Sequence, residues 1–113
     1  LETITKVVKD SGIAADDIKG LGISGQMHGL VLLDEKDEVI RPALLWNDGR
    51  SEKEVDYLNN KIGKDFLLDN TGNIAFAGFT APKLLWVYNH EPDNFKRISK
   101  ILIITNMSIY LIV

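Results

Sequence analysis

Short apolar runs alternate with amphipathic segments along the whole chain, and this alternation constrains the fold more than any other feature. Residues 30–33 and 101–104 have the length and composition of buried strands. The stretches between such runs repeat apolar residues at three- and four-residue spacing, which is typical of helices that cover a sheet. We therefore predict an α/β fold in which a mixed sheet has flanking helices. At 113 residues, the chain is long enough for one small domain.

Composition argues against several kinds of function. Thirteen Lys and Arg against sixteen Asp and Glu give a net charge of −3, which disfavours a nucleic-acid partner. The chain has no Cys, which excludes disulfides, thiolate zinc sites and a catalytic thiol, and two His are too few for a His-rich metal site. No apolar run reaches the roughly 18 residues that a membrane helix needs. We therefore expect no metal site and no nucleic-acid or membrane partner.

The strands are predicted from apolar runs bounded by polar turns. Residues 30–33 and 38–40 are expected to form a hairpin around the polar turn at residues 34–37. The other predicted strands are short and buried, and they span residues 21–24, 43–46 and 101–104.

The helices are predicted from their start and stop signals. Ser51 and Glu54 have the spacing of a capping box, so a helix should begin there. Pro82 suits the first turn of another helix, because its missing N–H costs little at that position. The apolar side of this second helix is predicted to consist of Leu84, Leu85 and Tyr88. The helix that begins at Ser51 is predicted to end at Gly63. The remaining helices are predicted at residues 1–11 with a stop at Gly12, at residues 64–70 with a stop at Gly72, and after Pro92.

A glycine-rich segment, residues 22–29, leaves the first predicted strand with three glycines and a polar cluster. Gln26 offers amide donors and an acceptor, and His28 offers ring nitrogens. Such groups suit a polyhydroxylated ligand, whose hydroxyls both donate and accept. The alternative is a hairpin corner with exposed polar tips, and composition alone favours it. The segment is not a phosphate loop, because no Lys follows the last glycine.

A second polar cluster follows at residues 46–50. Trp46 can lay its face against the carbon side of a sugar, while Asn47 and Asp48 can bind hydroxyls and Arg50 can orient Asp48. The alternative is that Trp46 belongs to the core and Asp48 caps the next helix. Taken together, two polar clusters at the ends of adjacent strands indicate a ligand cleft, since ligands of α/β sheets favour that place.

These two segments also identify a family. Residues 22–34 (GISGQMHGLVLLD) and 41–50 (RPALLWNDGR) closely resemble the xylulokinases, which belong to the FGGY carbohydrate kinases. The resemblance continues through residues 71–73, 78–87 and 90–92, and it covers about residues 18–103.

The resemblance implies an actin-like, ribonuclease-H-like ATPase domain, of which this chain would be the middle of the N-terminal domain. It implies a cytoplasmic enzyme that uses ATP and Mg²⁺ to phosphorylate D-xylulose to D-xylulose 5-phosphate. Met27 and His28 match the sugar-binding pair of the family. The positions expected close to the sugar are Gln26, Trp46, Asn47 and Asp48. Lys83 and Trp86 match a family motif and are interpreted as helix-packing residues, and His90 as a helix-end residue favoured by the dipole.

The resemblance also implies what this chain lacks. In the family a phosphate loop precedes the position of Leu1 and the general base follows that of Val113. We therefore expect one partial domain over residues 1–113, with no catalytic residue, no bound cofactor and no activity alone. Residues 104–113 are an atypical tail, and ten of the thirteen residues from 101 to 113 are apolar. We expect self-association through this segment. The alternatives are a kinase for another ketose or polyol, and a non-catalytic interaction module.

Overall fold

One short strand, Leu30–Leu33, lies at the centre of the structure, a computed structural model that describes residues 2–20 and 25–103. The helices are α1 (Glu2–Ser11), α2 (Glu52–Tyr57), α3 (Lys64–Thr71), α4 (Thr80–His90) and α5 (Pro92–Lys96), and the strands are β1 (Leu30–Leu33) and β2 (Lys100–Ile103). A 3-10 turn spans Ala15–Asp17 and a π-helical turn spans Leu58–Gly63. The mixture of helix and strand confirms the predicted α/β class. The strand predicted at 21–24 and the tail at 104–113 lie outside the described residues.

All four residues of β1 are buried because the strand has neighbours on both edges. On one edge β1 pairs antiparallel with β2, with Leu30 opposite Ile103. On the other edge Leu30 exchanges two backbone hydrogen bonds with Leu44, of 2.9 and 3.1 Å. The α4 residue Val87 closes the core over Leu30, Leu32 and Leu44. This core fixes the start of β1, at which the glycine-rich segment ends.

The predicted hairpin is confirmed as a turn and only partly as a pair of strands. The carboxylate of Asp34 accepts hydrogen bonds from the backbone N–H groups of Lys36 and Glu38, at 2.9 and 3.0 Å. This Asx arrangement closes the turn. Beyond the turn, the pairing is reduced to one isolated bridge between Leu33 and Val39, with a further hydrogen bond from Ile40.

The buried strand predicted at residues 43–46 is wrong apart from Leu44. Leu44 is buried and bridges β1, whereas Leu45 is 39% exposed and Trp46 is 56% exposed. The reason is a tight turn, in which the backbone N–H of Asp48 donates to the carbonyl oxygen of Leu45 at 3.1 Å. The turn takes the chain away from the sheet immediately after Leu44.

The predicted capping box at Ser51 is also wrong. Ser51 precedes α2, but its side chain makes no capping hydrogen bond. Its buried hydroxyl instead donates to the carbonyl oxygen of Ala77 at 3.3 Å. Glu54 is buried and accepts a hydrogen bond from Asn89 at 3.0 Å. Both side chains therefore form hydrogen bonds with residues distant in the sequence, Ala77 and Asn89, instead of capping the helix.

The predicted helix stops at glycine are confirmed. Gly12, Gly63 and Gly72 have φ values of 67°, 105° and 73°. These are left-handed conformations that glycine adopts without steric cost. After Gly72 the chain leads to α4, whose start at Thr80 and whose continuation into α5 after Pro92 also agree with the predictions.

Two predictions about burial are wrong. The described residues of α4 that are buried are Pro82, Lys83 and Val87, whereas Leu84 and Leu85 are half-buried and Tyr88 is 57% exposed. The predicted strand near residue 101 exists, but its residues Lys100 and Ile101 are exposed. In both cases the neighbours decide the burial: α4 faces β1, and β2 is covered less than β1. Within the described part of the chain, no helix is both long and apolar enough to span a membrane.

Candidate functional site

The loop that leads into β1 presents His28 in an unusual conformation. The backbone of His28 has a φ of 63°, in the left-handed region that few residues other than glycine adopt. Its ring stacks on the ring of Phe79, with centroids 4.5 Å apart and planes inclined by 20°. The neighbouring Met27 is 65% exposed, and Gln26 is exposed as well. The loop therefore holds the ring of His28 and offers Met27 to the outside.

The second polar cluster is organised around an ion pair. The guanidinium of Arg50 donates from Nε to both carboxylate oxygens of Asp48, at 2.9 and 3.0 Å. The backbone N–H of Arg50 donates to the same carboxylate at 3.1 Å. The hydrogen bond from the Arg50 side chain is the main reason that the pKa of Asp48 is lowered, so the carboxylate stays ionised near neutral pH. The prediction that Arg50 orients Asp48 is confirmed, and the alternative placing Trp46 in the core is wrong.

Arg50 is in turn held from its other side. Its guanidinium lies over the ring of Trp86, 4.9 Å from the centroid. The ring of His90 stacks on Trp86 at 4.7 Å, and its Nδ1 lies 3.0 Å from the Trp86 carbonyl oxygen. The Trp86 ring thus joins α4 to the second polar cluster.

A buried lysine connects the two clusters. Lys83 has no exposed surface, and its ammonium donates to the carbonyl oxygen of His28 at 2.9 Å and to that of Gly78 at 2.5 Å. Burial lowers the pKa of Lys83, while the nearby carboxylate of Asp48 acts in the opposite direction. The sequence interpretation of Lys83 as a helix-packing residue missed these hydrogen bonds. The available signal was one lysine beside the apolar residues Pro82 and Leu84 in an amphipathic helix.

Gly78 lies in the loop between α3 and α4, and it brings this loop against Trp46. A Cβ atom on Gly78 would lie 2.8 Å from the Trp46 carbonyl oxygen, a distance that real Cβ atoms essentially never show. Only glycine therefore allows this approach. The ammonium of Lys83 thus joins the backbones at residues 28 and 78, and Gly78 in turn lies against Trp46.

A pocket of about 340 Å³ opens beside His28 and Phe79. This volume is at the lower end of the range for small-molecule sites. Its walls are mostly apolar, with polar groups contributed by His28, Thr71, Asn73 and Thr80. Among the described residues, no group of three or more His, Asp or Glu side chains forms a metal site.

Of the six residues predicted to bind a ligand, His28 is hydrogen-bonded to Lys83 through its carbonyl oxygen and Asp48 acts on Lys83 electrostatically. Both are half-buried, whereas Met27, Trp46 and Asn47 extend into solvent from the same two loops. Gln26 is exposed at the start of the first loop.

Comparison with known proteins identifies the family. The profile of the FGGY family of carbohydrate kinases, N-terminal domain, matches residues 1–112. The chain belongs to this family. Its fold is accordingly the actin-like, ribonuclease-H-like ATPase fold of FGGY sugar kinases, as the sequence predicted. Sugar kinases of this family use ATP and Mg²⁺.

Several of the similar proteins are xylulose kinases. The chain is 52% identical to the xylulose kinase of Escherichia coli (strain K12) over 87 residues, 77% of this chain and 18% of that protein. It is 46% identical to the xylulose kinase of Staphylococcus xylosus over 95 residues, 84% of this chain and 20% of that protein. The crystal structure of a xyloylose kinase from Brucella ovis superposes with a TM-score of 0.74 at 46% identity, covering 88% of this chain and 20% of that one. The FGGY chain thus spans about a fifth of the length of these relatives.

Proposed function

We propose that this FGGY chain, a single partial domain over residues 1–113, forms the sugar-binding part of an ATP-dependent kinase that converts D-xylulose to D-xylulose 5-phosphate. The observation that carries the proposal is the 52% identity to the E. coli xylulose kinase over 87 residues. A matched stretch of 87 in a chain of 113 must include residues 27–87, so the likeness covers Met27 and His28, the second polar cluster and Lys83.

The side chains of the two loops suit the parts of a ketose. Met27 would give an apolar wall to the carbon skeleton, and the exposed Trp46 ring a flat surface for it. His28 would bind a hydroxyl through a ring nitrogen. Asp48, kept ionised by Arg50, can only accept hydrogen bonds, so it would accept one from a sugar hydroxyl.

Asn47 and Gln26 complete the proposed contacts with amide groups. An amide both donates and accepts, which matches a hydroxyl in either orientation. Discrimination among sugars would follow from these contacts, because a sugar with a misplaced hydroxyl leaves polar groups unpaired.

These residues would bind and orient the sugar, and the remaining chemistry would come from elsewhere in the enzyme. Phosphoryl transfer depends mainly on positioning the reactants and on neutralising the charge of the phosphates. Both would be supplied by MgATP and by the residues that bind it. The family resemblance puts the phosphate loop and the general base outside the segment that matches this chain. We accordingly expect no phosphorylation of D-xylulose by this chain alone.

A chimaeric enzyme tests the proposal. In it, this chain replaces the matching segment of the E. coli xylulose kinase, and the KM values for D-xylulose and ATP are measured. We expect the chimaera to phosphorylate D-xylulose. His28→Ala should raise the KM for D-xylulose and lower kcat/KM by the equivalent of about 1–3 kcal/mol, the usual worth of a buried hydrogen bond.

The other histidine of the chain provides the matched control. His90→Ala removes a ring that reaches the proposed sugar site only indirectly, through its stack on Trp86 and the contact of Trp86 with Arg50, so it should raise the KM for D-xylulose much less than His28→Ala does. Equal shifts of the sugar and ATP parameters in His28→Ala would assign His28 a structural role. A chimaera that prefers another ketose or a polyol would reject the substrate assignment, and one without kinase activity would favour a non-catalytic module.

A further inference from the structure

We infer that Lys83 is a positioning residue for the sugar site, because its buried ammonium ties the loop of His28 to the loop of Gly78, which lies against Trp46. The inference rests on the proposed function and adds a residue that contacts no sugar itself. Lys83 has no exposed surface, so it would act through the backbone groups that it holds.

The first reason is the backbone of His28. A left-handed conformation at a residue other than glycine persists only where the surroundings determine it. Two contacts do so here: Lys83 donates to the carbonyl oxygen of His28 at 2.9 Å, and Phe79 stacks on its ring at 4.5 Å. Phe79 and Lys83 are four residues apart, Phe79 just before α4 and Lys83 in its first turns. The start of one helix thus holds both the backbone and the ring of His28.

The second reason is the link to the other loops. The same ammonium donates to Gly78, whose Cα lies so close to the carbonyl of Trp46 that no side chain fits between them. The carboxylate of Asp48 adds an electrostatic attraction toward Lys83. A displacement of Lys83 would therefore change the spacing between His28 and Trp46, the two sides of the proposed site.

The third reason is that the geometry requires a lysine. Its compact head carries several N–H donors on a flexible stem and can serve two carbonyl groups from one buried point. The guanidinium of arginine is planar and larger, so it would force the loops apart. Methionine has a similar stem but no donor, and it would leave two carbonyl oxygens without this partner.

The experiment uses the chimaeric kinase described above. Lys83→Met and Lys83→Arg are compared with Lys61→Met, an exposed lysine in the π-helical turn. We expect both changes at Lys83 to raise the KM for D-xylulose at least tenfold while the KM for ATP stays within about twofold. Lys61→Met should leave both values unchanged.

Two further variants separate positioning from a general loss of stability. Gly78→Ala disturbs the same junction without touching Lys83, and it should also raise the sugar KM selectively. Combining Lys83→Met with Phe79→Leu should raise the sugar KM less than the product of the single effects, because both contacts act on His28.

Each outcome bears on the inference. If Lys83→Met is insoluble, a selective rise of the sugar KM in Gly78→Ala supports the inference, and equal shifts of both KM values contradict it. If Lys83→Met is folded and both KM values shift equally, or neither shifts, Lys83 serves stability alone and the proposed function stands. If the parent chimaera does not phosphorylate D-xylulose, the proposed function fails and the role of Lys83 fails with it.

Discussion

The two strands of the sheet have the same length and pair residue for residue, yet their environments differ. All four residues of β1 are buried, whereas in β2 two are exposed and two are half-buried. All four residues of β1 and three of the four residues of β2 are aliphatic, so composition does not explain the difference. β1 has hydrogen-bonded neighbours on both edges and α4 above it, while among the described residues β2 pairs with β1 alone.

The comparison shows why the candidate site lies where it does. The loop with Met27 and His28 runs directly into β1, and Leu44, just before the second polar cluster, bridges the same strand. Both loops therefore adjoin a buried, hydrogen-bonded part of the backbone. Loops placed on a packed core keep their side chains in fixed positions, which binding requires.

The largest effect is expected from a cavity in β1. Leu32→Ala removes a side chain that is 1% exposed and should lower the free energy of unfolding by about 2–5 kcal/mol. Urea unfolding measures the change. Its opposite residue in β2, Ile101, is 46% exposed, so Ile101→Ala should cost much less. Equal losses for the two variants would mean that β2 is as well covered as β1.

The second prediction concerns association through β2. Residues 101–113 contain ten apolar residues and no charge, and pairing or burial of half of them is worth several kcal/mol at about 25 cal/mol per Å². We propose that the isolated chain self-associates through this segment at micromolar concentration, as light scattering can measure. Ile101→Lys should reduce the mean mass, because a charge on an edge strand opposes pairing.

Ile13→Lys is the matched control for this variant, since Ile13 is 54% exposed and lies outside any strand. An unmodified chain that remains monomeric would argue against association. An equal reduction of mass in both variants would assign the effect to net charge.

The smallest effect is expected at the turn that follows β1. Hydrogen bonds from the backbone at Glu38 and Lys36 and the nearby Arg97 lower the pKa of Asp34. A carboxyl whose pKa is lower in the folded state adds stability above its unfolded value of about 3.9, and this stability is lost as the pH falls through the folded pKa. Asp34→Asn keeps an acceptor oxygen but removes the titration, so its melting temperature should fall less between pH 7 and pH 3.

Asp93→Asn is the comparison variant, because the side chain of Asp93 is 96% exposed. The melting temperatures of the three proteins are followed by circular dichroism across this pH range. An acid response of Asp34→Asn that equals that of the unmodified chain would show that the turn at β1 contributes nothing to acid sensitivity.

Much of the candidate site could be anticipated from local sequence. The two polar clusters follow apolar runs, and the spacing of Asp48 and Arg50 already allowed the ion pair that the structure contains. The hydrogen bonds of Lys83 could not be anticipated, because its two acceptors lie 55 and 5 residues away along the chain. Which carbonyl groups surround a buried ammonium depends on how distant loops meet.

The class of fold, the glycine stops and the family follow from the amino-acid sequence alone. The fold class follows from the period of the apolar residues, and the glycine stops follow from the freedom of Gly63 and Gly72 at positive φ. The family follows from the two segments that resemble it, residues 22–34 and 41–50, and from their order. They can be worked out without knowing what lies nearby in space.

Which surfaces are buried and which partners the polar groups take depends on how the whole chain folds. Ser51 and Glu54 left the helix end that their spacing predicts because Ala77 and Asn89 offer hydrogen bonds in the interior. The buried side of α4 includes Lys83, because the carbonyl groups beneath the helix need a donor. Burial is a property of neighbours, and the neighbours of a residue are fixed only when the whole chain has folded.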